Sequence, residues 1–193
     1  MAHPRILQLD EAGTPNSWCD WQDAVIYHAK EMIVWSSGEA TFTFTGGKSR
    51  STGEISTITV PSIIAVRNKT KVKHKPPVLT NGNLFRRDLH TCAYCGTVHP
   101  TDEKLTRDHI VPVSKGGPNT WMNTITACKG CNNYKGNHLL ETIDMSLLFV
   151  PYVPTKAENM ILANRKILGD QMEFLKGYLP AHSRVYQMMV NKG

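Results

Sequence analysis

Two Cys-x-x-Cys pairs constrain the fold of this chain more than any other feature of its sequence. The first pair is Cys92 and Cys95, the second is Cys128 and Cys131, and 32 residues lie between the pairs. Four thiolates with this spacing form the ligand set of a tetrahedral structural zinc site, which leaves no position open for water or substrate. The alternative is four unbound, reduced thiols. The spacing therefore predicts a Zn²⁺ ion that joins the two ends of a small domain.

The composition is that of a basic globular protein. Among 193 residues, 40% are hydrophobic, and 22 Lys and Arg face 16 Asp and Glu, for a formal net charge of +6. This charge favours a polyanionic partner such as nucleic acid, although many basic proteins bind none. No apolar stretch approaches the ~20 residues that span a bilayer, and the first residues resemble no signal peptide. We therefore expect a cytoplasmic protein, in which paired cysteines favour a metal over disulfides.

The sequence divides into three predicted regions. Residues 1–83 are expected to form an N-terminal α+β region, and residues 84–140 carry the chemical motifs. Residues 141–193 begin with a proline-containing linker and continue as a helix. Gly169 is expected to divide this helix in two, because glycine weakens a helix interior. Apolar residues recur every seventh position in this last region, which we interpret as a helix packed on its own core rather than a dimer seam.

Local patterns predict the elements of the first region. RILQLD predicts a strand, and DWQDAVIYHAKEM predicts a helix with Asp20 as its N-cap. ATFTFT alternates with period two and predicts a strand that ends at Gly46-Gly47. STITVPSIIAV predicts another strand, interrupted at Pro61 or placed at a sheet edge. Cys19, outside both cysteine pairs, is expected to be a buried thiol.

A run of cations, VRNKTKVKHKPP, follows these strands. Five of them occupy alternate positions: Arg67, Lys69, Lys71, Lys73 and Lys75. In an extended strand these side chains would share one face and line roughly 26 Å, a row that could follow a DNA backbone without reading its sequence. The alternative is a solvated edge strand whose lysines prevent aggregation. Arg86 and Arg87, just before the first cysteine, favour the nucleic-acid interpretation.

Between the cysteine pairs, polar residues occur in a fixed order: Asp108-His109, then Asn123, then Asn132. Within the four-cysteine frame, and with Asn-x-x-Lys-Gly at 132–136, this order resembles the HNH endonucleases of the ββα-metal fold, in particular the McrA-type and related bacterial and phage enzymes. The close resemblance covers about residues 90–138. It implies an α+β fold: a ββα-metal nuclease core stapled by a Cys₄ zinc site, with an N-terminal α+β extension and a C-terminal helical segment.

The resemblance also implies a role for each polar residue. Asp108 and Asn132 would hold one divalent ion, His109 would activate water as a general base, and Asn123 would position His109 or its loop. Carboxylate and amide oxygens suit Mg²⁺ or Mn²⁺, and an unperturbed histidine, with a pKa of about 6.5, is largely neutral near pH 7. Purely structural roles for Asn123 and His109 are the alternatives. The family often has histidine where this chain has Asn132.

Two geometric expectations follow. Lys135 lies three residues after Asn132, so it would share a helix face with Asn132 and could meet a DNA phosphate. Asp108 and His109 are consecutive, and consecutive residues of a regular strand point to opposite faces. We therefore expect this pair at a strand end or at a bulge.

These observations predict a metal-dependent endonuclease that hydrolyses the phosphodiester bonds of DNA, with duplex DNA as its expected substrate. By resemblance, it would leave 5′-phosphate and 3′-hydroxyl ends. One active site serves one strand, so a coordinated double-strand break would need a homodimer. A zinc-stabilised DNA-binding module without hydrolysis is the main alternative, and a nuclease directed at RNA is another.

Overall fold

The computed structural model describes residues 5–67, 75–164 and 166–191. In these ranges the chain is a mixed α+β protein. Its strands are β1 (Ile6–Leu9), β2 (Pro15–Cys19), β3 (Ile33–Lys48), β4 (Ile55–Val66), β5 (Leu105–His109) and β6 (Thr124–Cys128). Its α-helices are α1 (Trp21–Ala29), α2 (Asn81–Arg87), α3 (Lys129–Lys135), α4 (Lys156–Ala163), α5 (Gly169–Lys176) and α6 (Arg184–Val190). Over the described ranges, no helix has the length and apolar character of a bilayer-spanning segment.

Contacts between Cα atoms divide the chain into two compact units. The first unit holds the residues up to Lys75 together with Asn164–Tyr178, and the second holds Pro76–Ala163 together with the residues from Leu179 onward. The residues of the predicted C-terminal region are thus distributed over both units. The three predicted regions themselves stay a prediction.

The first unit is built on a four-stranded sheet in the order β2-β1-β4-β3. Strand β1 pairs antiparallel with β2 and parallel with β4, and β3 pairs antiparallel with β4. Apolar side chains from β1, β4 and α1 form its core, which includes Ile6, Ala24, Val60, Ile64 and Val66. Cys19 belongs to the same core and is 4% exposed, which confirms the expected buried thiol.

Most of the elements predicted for this unit are confirmed, with different ends. Helix α1 starts after Asp20, whose side chain accepts a hydrogen bond from the Asp23 N–H at 2.9 Å. The prediction that the third strand ends at Gly46-Gly47 is wrong, because β3 continues through both glycines to Lys48. Strand β4 also runs through Pro61. Proline is tolerated there because β1 pairs only with Ile63–Ala65, so the missing N–H breaks no bond of the β1–β4 ladder.

The cationic run lies largely outside the described residues. Lys69, Lys71 and Lys73 are not described, so the predicted strand over this run stays a prediction. Arg67 follows the end of β4, and its backbone N–H donates to the Met32 carbonyl at 2.8 Å. The side chains of Arg67 and Lys75 are exposed.

The second unit contains a β-hairpin followed directly by a helix. Strands β5 and β6 pair antiparallel, and α3 begins at the residue after β6 ends. Leu84 and Phe85 of α2 pack with Leu105 and Trp121 in the core beneath the hairpin. Trp121 is 7% exposed, and its indole N–H donates to the Pro77 carbonyl at 3.0 Å.

The prediction that Gly169 divides the C-terminal helix is confirmed. Helix α4 starts after Thr155, whose hydroxyl accepts a hydrogen bond from the Glu158 N–H at 3.2 Å, and a new helix, α5, begins at Gly169. Ile161 and Leu175 are 8% and 0% exposed. They belong to different units, so the seven-residue repeat does not mark one continuous helix.

Candidate active site and metal centre

The four cysteines of the two pairs come together in the second unit. Their sulfur atoms all lie within 4.8 Å of one another, and among the described residues no other group of three or more His, Cys, Asp and Glu side chains is placed to hold a metal ion. Cys92 and Cys95 lie in a tight turn closed by the Gly96 N–H, which donates to the Cys92 carbonyl at 3.0 Å. Cys128 is the N-cap of α3, so the helix carries Cys131 in its first turn.

Local hydrogen bonds favour the thiolate form of one ligand. The Thr97 hydroxyl lies 3.2 Å from the Cys95 sulfur. Hydrogen bonding by the side chain and backbone of Thr97 lowers the pKa of the Cys95 thiol to about 6. Because metal ions bind thiolates rather than thiols, this environment prepares Cys95 for a metal.

The Asp108-His109 pair lies at the end of β5. The pairing of β5 with β6 is regular from Leu105–Cys128 to His109–Thr124, so the hairpin contains no bulge. Of the two predicted settings, the strand end is therefore the one found. The two side chains have separate partners, as expected for neighbours on a regular strand.

The carboxylate of Asp108 is buried and held by two donors. Asp108 is 5% exposed, the Tyr94 hydroxyl donates to its Oδ2, and Lys135 Nζ donates to its Oδ1 at 3.1 Å. Burial, together with the neighbouring carboxylate, raises the pKa of the Tyr94 phenol, so this hydroxyl stays protonated and donates. Tyr94 is not among the site residues predicted from the sequence. Its position inside the first cysteine pair brings it to the site, but nothing in a tyrosine at that position specifies Asp108 as its partner.

Lys135 corrects one prediction. Its side chain is 0% exposed, and Nζ also donates to the His109 carbonyl oxygen at 2.7 Å. A buried ammonium with two protein acceptors is not available to DNA, so the predicted phosphate contact of Lys135 is wrong in this structure. The same bonds fix α3 against the end of β5. Asn132 lies one turn before Lys135 on the same helix face and is half-buried.

The His109 imidazole is half-exposed and turned toward the loop between the strands. Its Nε2 lies 3.2 Å from Asn119 Oδ1. Arg107, two residues earlier on the same strand face, donates from Nη1 to the same oxygen at 3.0 Å. Asn119 is not among the predicted site residues, because the loop path that brings it back to β5 has no local sequence signature.

Asn123 holds that loop together through the hydrogen bonds of its side chain. It is 8% exposed, its Oδ1 accepts from the Val111 N–H at 2.9 Å, and its Nδ2 donates to the carbonyls of Val111 and Pro118 at 3.1 and 2.9 Å. A Cβ on Gly117 would lie 1.7 Å from the Val111 carbonyl oxygen, so only glycine fits beside this contact. These contacts agree with the loop-stapling role of Asn123.

A buried ion pair between Arg87 and Asp88 stabilises the hairpin. Arg87 and Asp88 are both 0% exposed and pair through two bonds, Nε to Oδ1 at 2.7 Å and Nη2 to Oδ2 at 3.0 Å. Arg87 also donates to three carbonyl oxygens, those of Trp121 at 2.8 Å, Thr124 at 2.9 Å and Tyr152 at 3.0 Å. Asp88 accepts from the Thr126 N–H at 2.8 Å. Arg87 is therefore a structural residue, which corrects its use as evidence for DNA binding.

Comparison with known proteins adds one finding. The model of a family described as HNH endonuclease matches residues 92–148, a segment that includes both cysteine pairs, the hairpin and α3. No curated protein matches the chain. The family match indicates nuclease function, and the four-cysteine cluster is consistent with the cysteine–zinc subgroup. The second unit of this chain therefore contains an HNH endonuclease domain.

Proposed function

We propose that this chain is a metal-dependent endonuclease that hydrolyses the phosphodiester bonds of duplex DNA. The observation that carries the proposal is that the matched segment folds as a β-hairpin followed directly by a helix. Strand β5 ends at the Asp108-His109 pair, and α3, which carries Asn132, is bonded to that end through Lys135. The formal net charge of +6 supports a polyanionic substrate.

Zinc is the proposed occupant of the four-cysteine cluster. Four thiolates are a soft donor set. Soft donors favour zinc over the hard divalent ions, such as Mg²⁺, that oxygen ligands suit. At a zinc–sulfur distance of ~2.3 Å, a tetrahedral site places its sulfur atoms about 3.8 Å apart. The observed sulfur atoms, all within 4.8 Å of one another, fit this arrangement. Because four thiolates fill the coordination shell, this ion would brace the scaffold and take no part in hydrolysis.

Asp108 and Asn132 are the proposed ligands of a Mg²⁺ or Mn²⁺ ion. An ionised carboxylate has about four lone-pair sites. Tyr94 and Lys135 each use one of them on Asp108, so the carboxylate can still accept an ion. Bound there, a divalent ion would supply positive charge to the phosphate as negative charge develops on its oxygens.

His109 is the proposed general base. Its imidazole takes a proton from the attacking water as the water oxygen forms a bond to phosphorus. The bond from phosphorus to the 3′ oxygen breaks, and that oxygen takes a proton from solvent, which leaves 5′-phosphate and 3′-hydroxyl ends. Asn123 supports this step by fixing the loop beside His109. The cations at 67, 69, 71, 73 and 75 are the proposed sequence-independent contacts to the DNA backbone.

One observation favours a second candidate, a zinc-stabilised DNA-binding module without hydrolysis. Both oxygens of Asp108 already bind protein donors, and Lys135 Nζ is a cation that neutralises the carboxylate without any added ion. A site satisfied in this way could be purely structural, with the cysteine cluster as its only metal.

A cleavage assay separates the two candidates. Supercoiled plasmid, linear duplex, single-stranded DNA and RNA are incubated with the protein and Mg²⁺, Mn²⁺ or chelator. We expect metal-dependent cutting of duplex DNA, slower by at least about 100-fold in His109→Ala, the scale of general-base catalysis. His138→Ala, which alters an exposed histidine of the same unit, is the matched control and should cut normally. Salt-dependent DNA binding without cutting under any ion would establish the second candidate instead.

A further inference from the structure

Asn119 brings the two β5 side chains Arg107 and His109 to a single oxygen atom. Arg107 Nη1 lies 3.0 Å from Asn119 Oδ1, and His109 Nε2 lies 3.2 Å from it. Arg107 and His109 are two residues apart on β5, so both side chains project from the same face. These contacts also constrain which ring nitrogen of His109 carries a proton, because the three groups differ in their capacity to donate.

The guanidinium determines which end of the Asn119 amide faces the pair. A guanidinium carries donors only, so its partner on Asn119 must be the carbonyl oxygen and not the NH₂ group. The imidazole nitrogen that shares this oxygen must then also donate. In a neutral imidazole one ring nitrogen carries the proton and the other has the free lone pair. With the proton on Nε2, the lone pair of His109 is on Nδ1.

The side chain of Asn123 holds the backbone next to Asn119 in the position that this contact requires. Asn123 Nδ2 donates to the carbonyl oxygen of Pro118, the residue before Asn119, at 2.9 Å. The same side chain binds the backbone N–H of Val111, two residues after His109, at 2.9 Å. Asn123 therefore ties together the two stretches of chain that carry Asn119 and His109. Its influence on the histidine acts through this loop.

We propose that Asn119 is a positioning residue that fixes His109 in the Nε2–H form, so that Nδ1 is the atom that takes the proton from water. This inference rests on the proposed function for its catalytic consequence, though not for the tautomer itself. As Nδ1 gains the proton, the ring becomes a cation, and Asn119 Oδ1 continues to accept from Nε2–H. Arg107 orients the amide and does not take part in proton transfer.

Two substitutions of similar size separate the acceptor from the shape of Asn119. Asn119→Asp keeps an oxygen that accepts from both Arg107 and His109, whereas Asn119→Leu removes every acceptor. We expect Asn119→Leu to lower kcat by about 10- to 100-fold with KM nearly unchanged, the scale expected for a misplaced catalytic group. Asn119→Asp should retain kcat within about threefold of the unaltered enzyme. Equal activity of the two variants, high or low, would overturn the acceptor role.

A spectroscopic measurement tests the tautomer without any activity. Long-range ¹H–¹⁵N correlation spectra of the ¹⁵N-histidine-labelled full chain, at about pH 8 where an unperturbed imidazole is neutral, report which ring nitrogen carries the proton. The His109 signals are identified by their loss in His109→Ala. We expect the Nε2–H form in the unaltered chain and a mixture in Asn119→Leu. An Nδ1–H form in the unaltered chain would overturn the proposal even if the enzyme cuts DNA, and an Nε2–H form in a chain that cuts nothing would refute only the proposed function.

Discussion

Asp108 and His109 are adjacent in sequence, yet they depend on different parts of the domain. Asp108 is bonded to Tyr94 from the first cysteine pair and to Lys135 from α3. His109 contacts Asn119 of the loop between the strands. The first set of contacts belongs to the part of the domain that carries the cysteine cluster, and the second belongs to the loop. At the scale of single residues, the candidate ion ligand and the candidate base can therefore be perturbed separately.

Glu158 is another buried carboxylate of this unit, and it makes the stability of the unit depend on pH. It is 0% exposed, and its Oε1 accepts from the Tyr152 hydroxyl at 2.5 Å and the Ser183 hydroxyl at 2.9 Å. Within the described part of the chain, its Oε2 has no hydrogen-bond partner. Burial raises the pKa of Glu158, and the hydrogen bonds from Tyr152 and Ser183 oppose this only in part.

The raised pKa predicts a specific pH profile for Glu158→Gln. Between its unfolded and folded pKa values the folded chain binds more protons at Glu158, so this residue lowers stability as pH rises through that window. Glutamine cannot ionise, so the melting temperature of Glu158→Gln relative to the unaltered chain should rise as the pH increases above the ordinary glutamate pKa of about 4. Glu141→Gln changes an exposed acid of the same unit and should show a constant difference. A constant or falling difference for Glu158→Gln would contradict this prediction.

At the scale of elements, the Arg87–Asp88 pair joins α2 to the hairpin. Arg87 binds carbonyl oxygens of Trp121 and Thr124, just before and at the start of β6, and Asp88 binds the N–H of Thr126 within that strand. One end of β6 leads to the loop beside His109, and the other leads to Cys128 and α3. The pair thus holds the strand that connects the candidate base to the cysteine cluster.

Removing the Arg87 side chain should therefore lower the free energy of unfolding far more than removing the Arg86 side chain. Arg87→Ala leaves Asp88 buried without its counter-charge, and we expect a loss of about 3–5 kcal/mol in the unfolding free energy. Arg86→Ala is the matched control, because within the described ranges Arg86 donates to its own helical turn, to Gly82 O and Asn83 Oδ1, both at 3.0 Å. It should cost less than about 1 kcal/mol. Denaturant unfolding monitored in the second unit measures both, and similar losses would contradict the assigned role.

The sequence predicted the elements better than it predicted the contacts between them. Alternation and capping residues specify strands and helices locally, so β1 and α1 could be inferred. Cysteine spacing is equally local, and it predicted the four-sulfur cluster. The partners of the site could not be read in this way. Lys135 looked like a surface cation, because helical spacing gives its face but not what packs on that face. Asn119 likewise depends on the path of a whole loop.

At the scale of the whole molecule, the chain has two units with separate means of stabilisation. The first unit has a sheet core that contains Cys19. The second has an apolar core that includes Leu84 and Trp121, and the cysteine cluster would add metal-binding energy to it. The two kinds of cysteine should therefore respond differently when metal is removed.

Cysteine alkylation measures this difference. After zinc is removed with a chelator, iodoacetamide at about pH 8 should modify the four cluster cysteines and leave Cys19 unmodified until denaturant is added. Burial raises the pKa of the Cys19 thiol to about 12, so only about one molecule in 10⁴ would carry the reactive thiolate. Mass spectrometry of digested peptides assigns the modified positions. Early modification of Cys19, or reaction of the cluster cysteines at the same rate with and without chelator, would contradict this account.

We propose that hydrolysis depends on His109 as the general base, at the end of a hairpin that the cysteine cluster stabilises. The most direct test is the single-turnover rate of cutting of an end-labelled DNA duplex by the unaltered chain and by His109→Ala, at equal measured zinc content and saturating protein. We predict one zinc ion per chain in both proteins, similar DNA affinity, and a rate at least about 100-fold lower in the variant. Equal rates in the two proteins would contradict the claim.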